Sequence, residues 1–154
     1  MIIRTALIKD IEAILSLYYV LFSEMAALQP DRMKATEQDR DFIVSNVNNS
    51  KFHLLVAEDG DRSIKGFAIA QEQKTPSFNC LVPRTYGHVF DLVVSQDARN
   101  LGVGRKLLVG MQKWAKENGY SHLELSVLSQ NVDAIRFYER EGYQEVNRTM
   151  AITL

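Results

Sequence analysis

Cysteine is almost absent from this sequence: Cys80 is the single one among 154 residues. One thiol excludes an internal disulfide framework and fits a reducing compartment, so cytoplasm is the expected location. A dominant charge is also missing, with 18 Lys and Arg against 19 Asp and Glu. The balance gives no electrostatic reason to expect nucleic acid or a membrane surface as partner, and any phosphate recognition must be local. No run approaches the roughly 20 apolar residues that span a bilayer, and Met1 to Thr5 do not start a leader sequence. His53 and His122 lack partners at metal-ligating spacing, so no metal site is expected. Repeats, low-complexity tracts and linkers are missing as well. Residues 1–154 therefore read as one domain, long enough to bury a core unaided.

What is present is alternation between two periodicities. Ile2 to Thr5 reads as a strand, followed by Ile11, Ile14, Leu15, Tyr18, Leu21 and Phe22 at helical spacing. Pro30 ends that helix or the loop after it, and Thr36 with Asp39 resembles a variant capping box opening a second one with Phe42, Ile43 and Val47 on one face. Phe52 to Ala57 and Ile64 to Ala70 form a hairpin around Asp59 to Arg62. After a loop from Lys74 to Arg84, Val89 to Val94 is strongly β-type. A helix begins near Gly102, carries Val103, Leu107, Leu108, Met111, Trp114 and Ala115 on one face, and stops at Asn118-Gly119. Leu123 to Leu128 is the next strand, Asn131 to Glu141 a short helix, and Tyr143 toward Ile152 a last strand. The order predicts a mixed α/β domain.

The segment from Val93 to Leu108 joins a strand to a helix through a turn holding Gly102 and Gly104. At a helix start the first N–H groups lack intrahelical partners and the macrodipole is positive, which suits a diphosphate. Glycines leave the approach open, and Arg99, Arg105 and Lys106 add positive charge. Two glycines before a helix also serve as plain turn punctuation. A P-loop run is absent, and the three-glycine dinucleotide fingerprint is not met.

Arg99-Asn100-Leu101-Gly102-Val103-Gly104, behind a hydrophobic strand, resembles the first signature of the GNAT superfamily of acyl-CoA N-acyltransferases. Asn131, Ala134, Phe137-Tyr138-Glu139 and Gly142-Tyr143 are similar to its second signature. The resemblance implies an α/β (α+β) fold: a mixed, mostly antiparallel sheet, fourth and fifth strands splayed apart, helices on both faces. It implies acetyl-CoA as cosubstrate and an amine as acceptor, with homodimers frequent. Main-chain groups of Leu92, Val93 and Val94 would lie along the pantetheine arm, and the stretch from Arg99 to Lys106 would hold the diphosphate. Asn131 would contact pantetheine or brace the fifth strand, with Ala134 and Phe137 against the cofactor.

An amine must shed a proton before it attacks a thioester. Asp91 is the first candidate for base; its other reading is a carboxylate that pairs with a cation or orients the acceptor. His88 is the second candidate, although on a regular strand residues 88 and 91 face opposite sides. Tyr138 matches the family tyrosine beside the departing sulfur, and a backbone N–H near Leu92 or Val94 suits the developing oxyanion. Tyr18, Tyr19, Phe22, Glu24 and Met25, with the loop from Lys74 to Arg84, are the candidates for the acceptor pocket. Tyr18 and Phe22, at four-residue spacing, read more as core, and Tyr19, which points elsewhere, suits a pocket better. Cys80 has no base nearby in sequence and reads as incidental. Competing with the enzyme is a catalytically idle acetyl-CoA binder. The acceptor is expected to be a small molecule, with a protein amine as the alternative.

Overall fold

Continuous apolar runs in Phe52–Glu58 (β2) and Ile64–Lys74 (β3) give the central hairpin two buried faces, and the rest of the fold is laid on those faces. In the computed structural model, which describes residues 1–154, β2 pairs on its other edge with Ile2–Thr5 (β1). Beyond β3 come Thr85–Val94 (β4) and Leu123–Leu125 (β5). The order is β1-β2-β3-β4-β5, antiparallel except for the parallel β4–β5 pair.

Leu54, Val56, Phe67, Ile69 and Val93 point to one face, where Ile11–Leu28 (α1) and Arg40–Val47 (α2) cover them. Leu55, Ala57, Ala68, Ala70 and Val89 point to the other, under Val103–Glu117 (α3). The face predicted for α3 is the face it buries. α1 with its preceding turn, Ile8–Leu28, is long and apolar enough to cross a membrane, which corrects the expectation of no such run. It lies on the sheet with Ile11, Ile14, Leu17 and Tyr18 buried.

Three other expectations change. Asp39, not Thr36, caps α2, accepting a hydrogen bond from the Asp41 N–H at 2.9 Å. β5 ends at Leu125 rather than Leu128. No strand forms after Tyr143; from Gln144 to Leu154 the chain is exposed and in no regular element, and its backbone pairs with no other backbone group. The last helix is Val132–Arg140 (α4), capped by Asn131.

One ion-pair network anchors the start of α1. Asp10, 4% exposed, receives both terminal nitrogens of Arg4, at 2.7 and 2.9 Å, and the Leu7 N–H at 2.8 Å. Arg4 also bonds Glu58. The Arg4 guanidinium holds the Asp10 carboxyl below the ordinary carboxylate range. Its contribution is present above that range and is lost as pH falls through the lowered value. Asp10→Asn should cost about 2–3 kcal/mol in urea unfolding at neutral pH, a little under the usual cost of breaking a buried pair because Arg4 reaches solvent. The difference from the unsubstituted chain should shrink on acidification. A constant difference would mean that the charge is not what matters.

Candidate active site

The site starts from an irregularity in β4. Ile69 is opposite Asp91, but the next residue of β3, Ala70, is opposite Val89, so Phe90 is an unpaired extra residue. Such a bulge bends the strand and increases its twist. β5 pairs with β4 only from Gly87 to Val89, up to the bulge, while β4 continues to Val94. Past that point the two strands are no longer hydrogen-bonded, which leaves a gap in the ladder along this edge of β4.

Antiparallel pairing decides which groups face the gap. The Ser95 N–H donates to Lys65 C=O at 2.8 Å, so alternation directs the main-chain groups of Val93 and Asp91 toward β3. Those of Leu92 and Val94 are left facing outward. Val93 itself is committed to the core, 4% exposed among residues under α1.

The helix start lies across the gap. Gly102 caps α3 with φ of 76°, a left-handed conformation that L side chains resist, and Asn100 shares it at 62°. The first N–H with a helical partner is that of Lys106, which donates to Gly102 C=O. The N–H groups of Leu101, Gly102, Val103, Gly104 and Arg105 have no partner. A Cβ built on Gly104 would stand 3.4 Å from the Phe137 ring and 3.7 Å from the side chains of Leu92 and Val94. Elements distant in sequence therefore meet at one bare backbone position, and the donors and the open strand edge suit a diphosphate followed by an extended amide-bearing arm.

Asp91 is on the α1 face, where it accepts a hydrogen bond from Tyr18 Oη at 2.8 Å. Burial raises its pKa, while the Tyr18 hydrogen bond and the nearby His88 work against the rise. Because of the extra residue, His88 shares a face with Asp91, contrary to the parity of a regular strand. His88 Nδ1 is 3.1 Å from Glu124 Oε1. Tyr138 comes from α4, and burial pushes its pKa up to about 12, with the charges of Tyr143 and Asp91 adding to the rise. The phenol stays protonated at neutral pH. Asp91 and Tyr138, 47 positions apart by their numbers, are thus electrostatic neighbours.

Other predicted residues are placed as follows. Glu24 accepts a 2.8 Å bond from Arg99, whose Nε also donates to Val94 C=O at 3.1 Å. Asn131 Oδ1 accepts from the Ala134 N–H, so it braces α4. Arg105 pairs with Glu141 at 3.4 Å and Lys106 is exposed. Tyr19 is 52% exposed, and Phe22 packs against Tyr18 with ring centroids 5.3 Å apart. A surface groove of about 850 Å³ lies between α3 and strands β1 and β2 and shares Gly102, Arg105 and Lys106 with the cradle, without Asp91 or Tyr138.

Sequence reasoning named Tyr18 among the pocket candidates but missed its bond to Asp91. A buried phenol needs a partner, and a tyrosine in place of phenylalanine on a core face was the available signal. The bulge left no signal.

The family model described as acetyltransferase (GNAT) family matches residues 11–143. The N-acetyltransferase YhfO of Bacillus subtilis is 31% identical over 104 residues, covering 68% of this chain and 66% of that protein. Streptothricin acetyltransferase A of the same organism is 36% identical over 58 residues, 38% of this chain and 34% of that protein. The chain thus spans less than two thirds of these curated relatives. Among solved structures, a mutant of the BH1408 protein from Bacillus halodurans superposes with a TM-score of 0.96 at 24% identity, covering 100% and 99% of the two chains. The aminoglycoside acetyltransferase meta-AAC0020 from a soil metagenome, in complex with sisomicin, gives 0.73 at 15% identity over 99% and 95%. At those identities the likeness is one of fold.

Proposed function

Because this chain belongs to the acetyltransferase (GNAT) family, we propose that it transfers an acetyl group from acetyl-CoA directly to a primary amine of a small molecule. The observation that carries the reading is the convergence of the unpaired N–H groups at the start of α3, the open β4 edge at Leu92 and Val94, and Phe137 around Gly104. The names of two relatives, one acting on streptothricin and one on aminoglycosides, support a small polar amine as acceptor.

Acetyl-CoA supplies an activated acyl carbon and a thiolate leaving group. Asp91 accepts the proton of the ammonium, directly or through a water, and its raised pKa narrows the gap to the amine's own. Tyr18 holds the Asp91 carboxylate in place through its 2.8 Å hydrogen bond. Tyr138 Oη keeps its proton at neutral pH and can deliver it to the departing sulfur. The outward N–H groups of Leu92 and Val94 are the donors for charge that develops on the acyl oxygen.

The test is thiol release from acetyl-CoA against a panel of aminoglycosides, polyamines and amino acids. Release above the amine-free rate supports transfer, and tight acetyl-CoA binding with no release for any amine overturns it in favour of a binding module. Within an active pair, Tyr138→Phe should lower kcat about 10²-fold, at the low end for a lost general acid because thiolates leave readily. Unchanged turnover across the pH range at saturating acetyl-CoA would remove Tyr138 from the chemistry.

A further inference from the structure

Arg99 and Glu24, 75 positions apart, are paired through groups that the two substrates would need. Arg99 Nη2 donates to Glu24 Oε1 at 2.8 Å, while its Nε donates to Val94 C=O at 3.1 Å. That carbonyl belongs to the open edge of β4, where an extended arm would find its acceptor. With Arg99 lying on it, a side chain fills the place beside the edge. Arg99 also precedes the unpaired N–H groups of Leu101 to Arg105. A guanidinium there has a stronger partner in a diphosphate, which it can hold through two parallel hydrogen bonds.

Glu24 draws no support from its own helix. It is one turn before the C-terminal end of α1, whose last turn holds no basic residue, so the dipole works against a carboxylate there. Its place along the helix relates it to the reacting groups. Tyr18, which bonds Asp91, is six residues earlier, a rise of about 9 Å. Gln29, five residues later, donates to Gln130 Oε1 at 2.7 Å, in the loop after β5. The second half of α1 thus runs from Asp91, past the turn after β4, to the β5 side, and Glu24 is on that path.

We propose that Arg99 is a latch between the two substrate sites: the diphosphate of acetyl-CoA takes its guanidinium away from Glu24 and Val94. The Val94 C=O is then free for the pantetheine arm. The Glu24 carboxylate is left without its cation and receives a second ammonium group of the acceptor. The acceptor class is a diamine or polyamine, with Asp91 at the reacting nitrogen and Glu24 at a distant one. Linkage makes the effect reciprocal, so each substrate tightens the other. The latch rests on the acetyl-CoA reading given above.

Titration calorimetry with free CoA tests it. Both side chains are 40% exposed, so the fold should survive either substitution. Glu24→Ala should bind CoA about 2- to 5-fold more tightly, because a partly solvated ion pair no longer has to be broken. Arg99→Met should bind it about 10-fold more weakly, and in that background Glu24→Ala should change little. Unchanged or weaker binding in Glu24→Ala would mean that Glu24 holds Arg99 ready for the diphosphate, which overturns the latch. An equal gain in the Arg99→Met background also overturns it, as the sign of plain repulsion between Glu24 and the phosphates. For the acceptor the probe is spermidine, a flexible polyamine able to reach both carboxylates. Its affinity should rise by a similar factor when CoA is present, and Glu24→Ala should abolish that rise. An affinity indifferent to CoA, or a rise that persists in Glu24→Ala, overturns the uncovering of Glu24. CoA that binds neither the unsubstituted chain nor any variant overturns the acetyl-CoA reading, and the latch with it.

Discussion

Asp91→Asn should lower kcat about 10³-fold, within the range for loss of a general base, while the KM for acetyl-CoA stays close to its starting value. The substitution is nearly isosteric and the amide oxygen can still accept from Tyr18, so the loss would report the missing proton acceptor. The pH profile separates this from a positioning role. Activity needs the ionised carboxylate, so the acid limb should lie above the ordinary aspartate range, because burial raises this pKa. Tyr18→Phe removes a hydrogen bond that lowers the pKa, so the limb should move to higher pH with the plateau rate less affected. An acid limb that survives in Asp91→Asn would assign it to another group, with His88 next on the same face.

Gly104→Val should weaken acetyl-CoA binding about 10- to 100-fold by titration calorimetry, corresponding to the ~1–3 kcal/mol typical of overpacking. Already the first added carbon would stand 3.4 Å from the Phe137 ring and 3.7 Å from Leu92 and Val94, and the two methyls beyond it would project into the cleft. Gly104→Ala should fall between, since those distances are ordinary contacts. The same experiment checks the cradle itself. Undiminished affinity in Gly104→Val would place the diphosphate elsewhere, and the groove of about 850 Å³ between α3 and strands β1 and β2 would become the next candidate.

The sequence made legible whatever depends on local periodicity or on a spaced motif. The buried face of α3, the hairpin of β2 and β3, and the glycine-bearing helix start could all be read because each is set by residues within one or two turns. Asp91 and Tyr138 were reachable only as family positions; their proximity across the fold is a tertiary fact. The Tyr18–Asp91 bond was hidden because a phenol on a core-facing helix position reads the same with or without a distant partner. Glu24 and Arg99 were read as facing two different substrates, and a contact 75 residues apart pairs them with each other. The strand expected from Tyr143 toward Ile152 does not form, because a β-type pattern does not say whether an edge in the same chain will receive the strand.

The extra residue in β4 has a consequence for how the cleft is inherited. Phe90 contributes no polar group to the chemistry; its ring stacks on Phe52 at 6.3 Å and meets His88 edge-on at 5.0 Å. If position 90 were simply missing, Val89 and Asp91 would become neighbours, each still facing its present side and its present β3 partner. Every side chain of the site could stay where it is, while β4 and β5 would be free to zip together over the space where a substrate would enter. Room for a ligand here is thus encoded as a surplus in residue count rather than in residue identity, so a one-codon deletion could erase it while leaving both signature motifs intact.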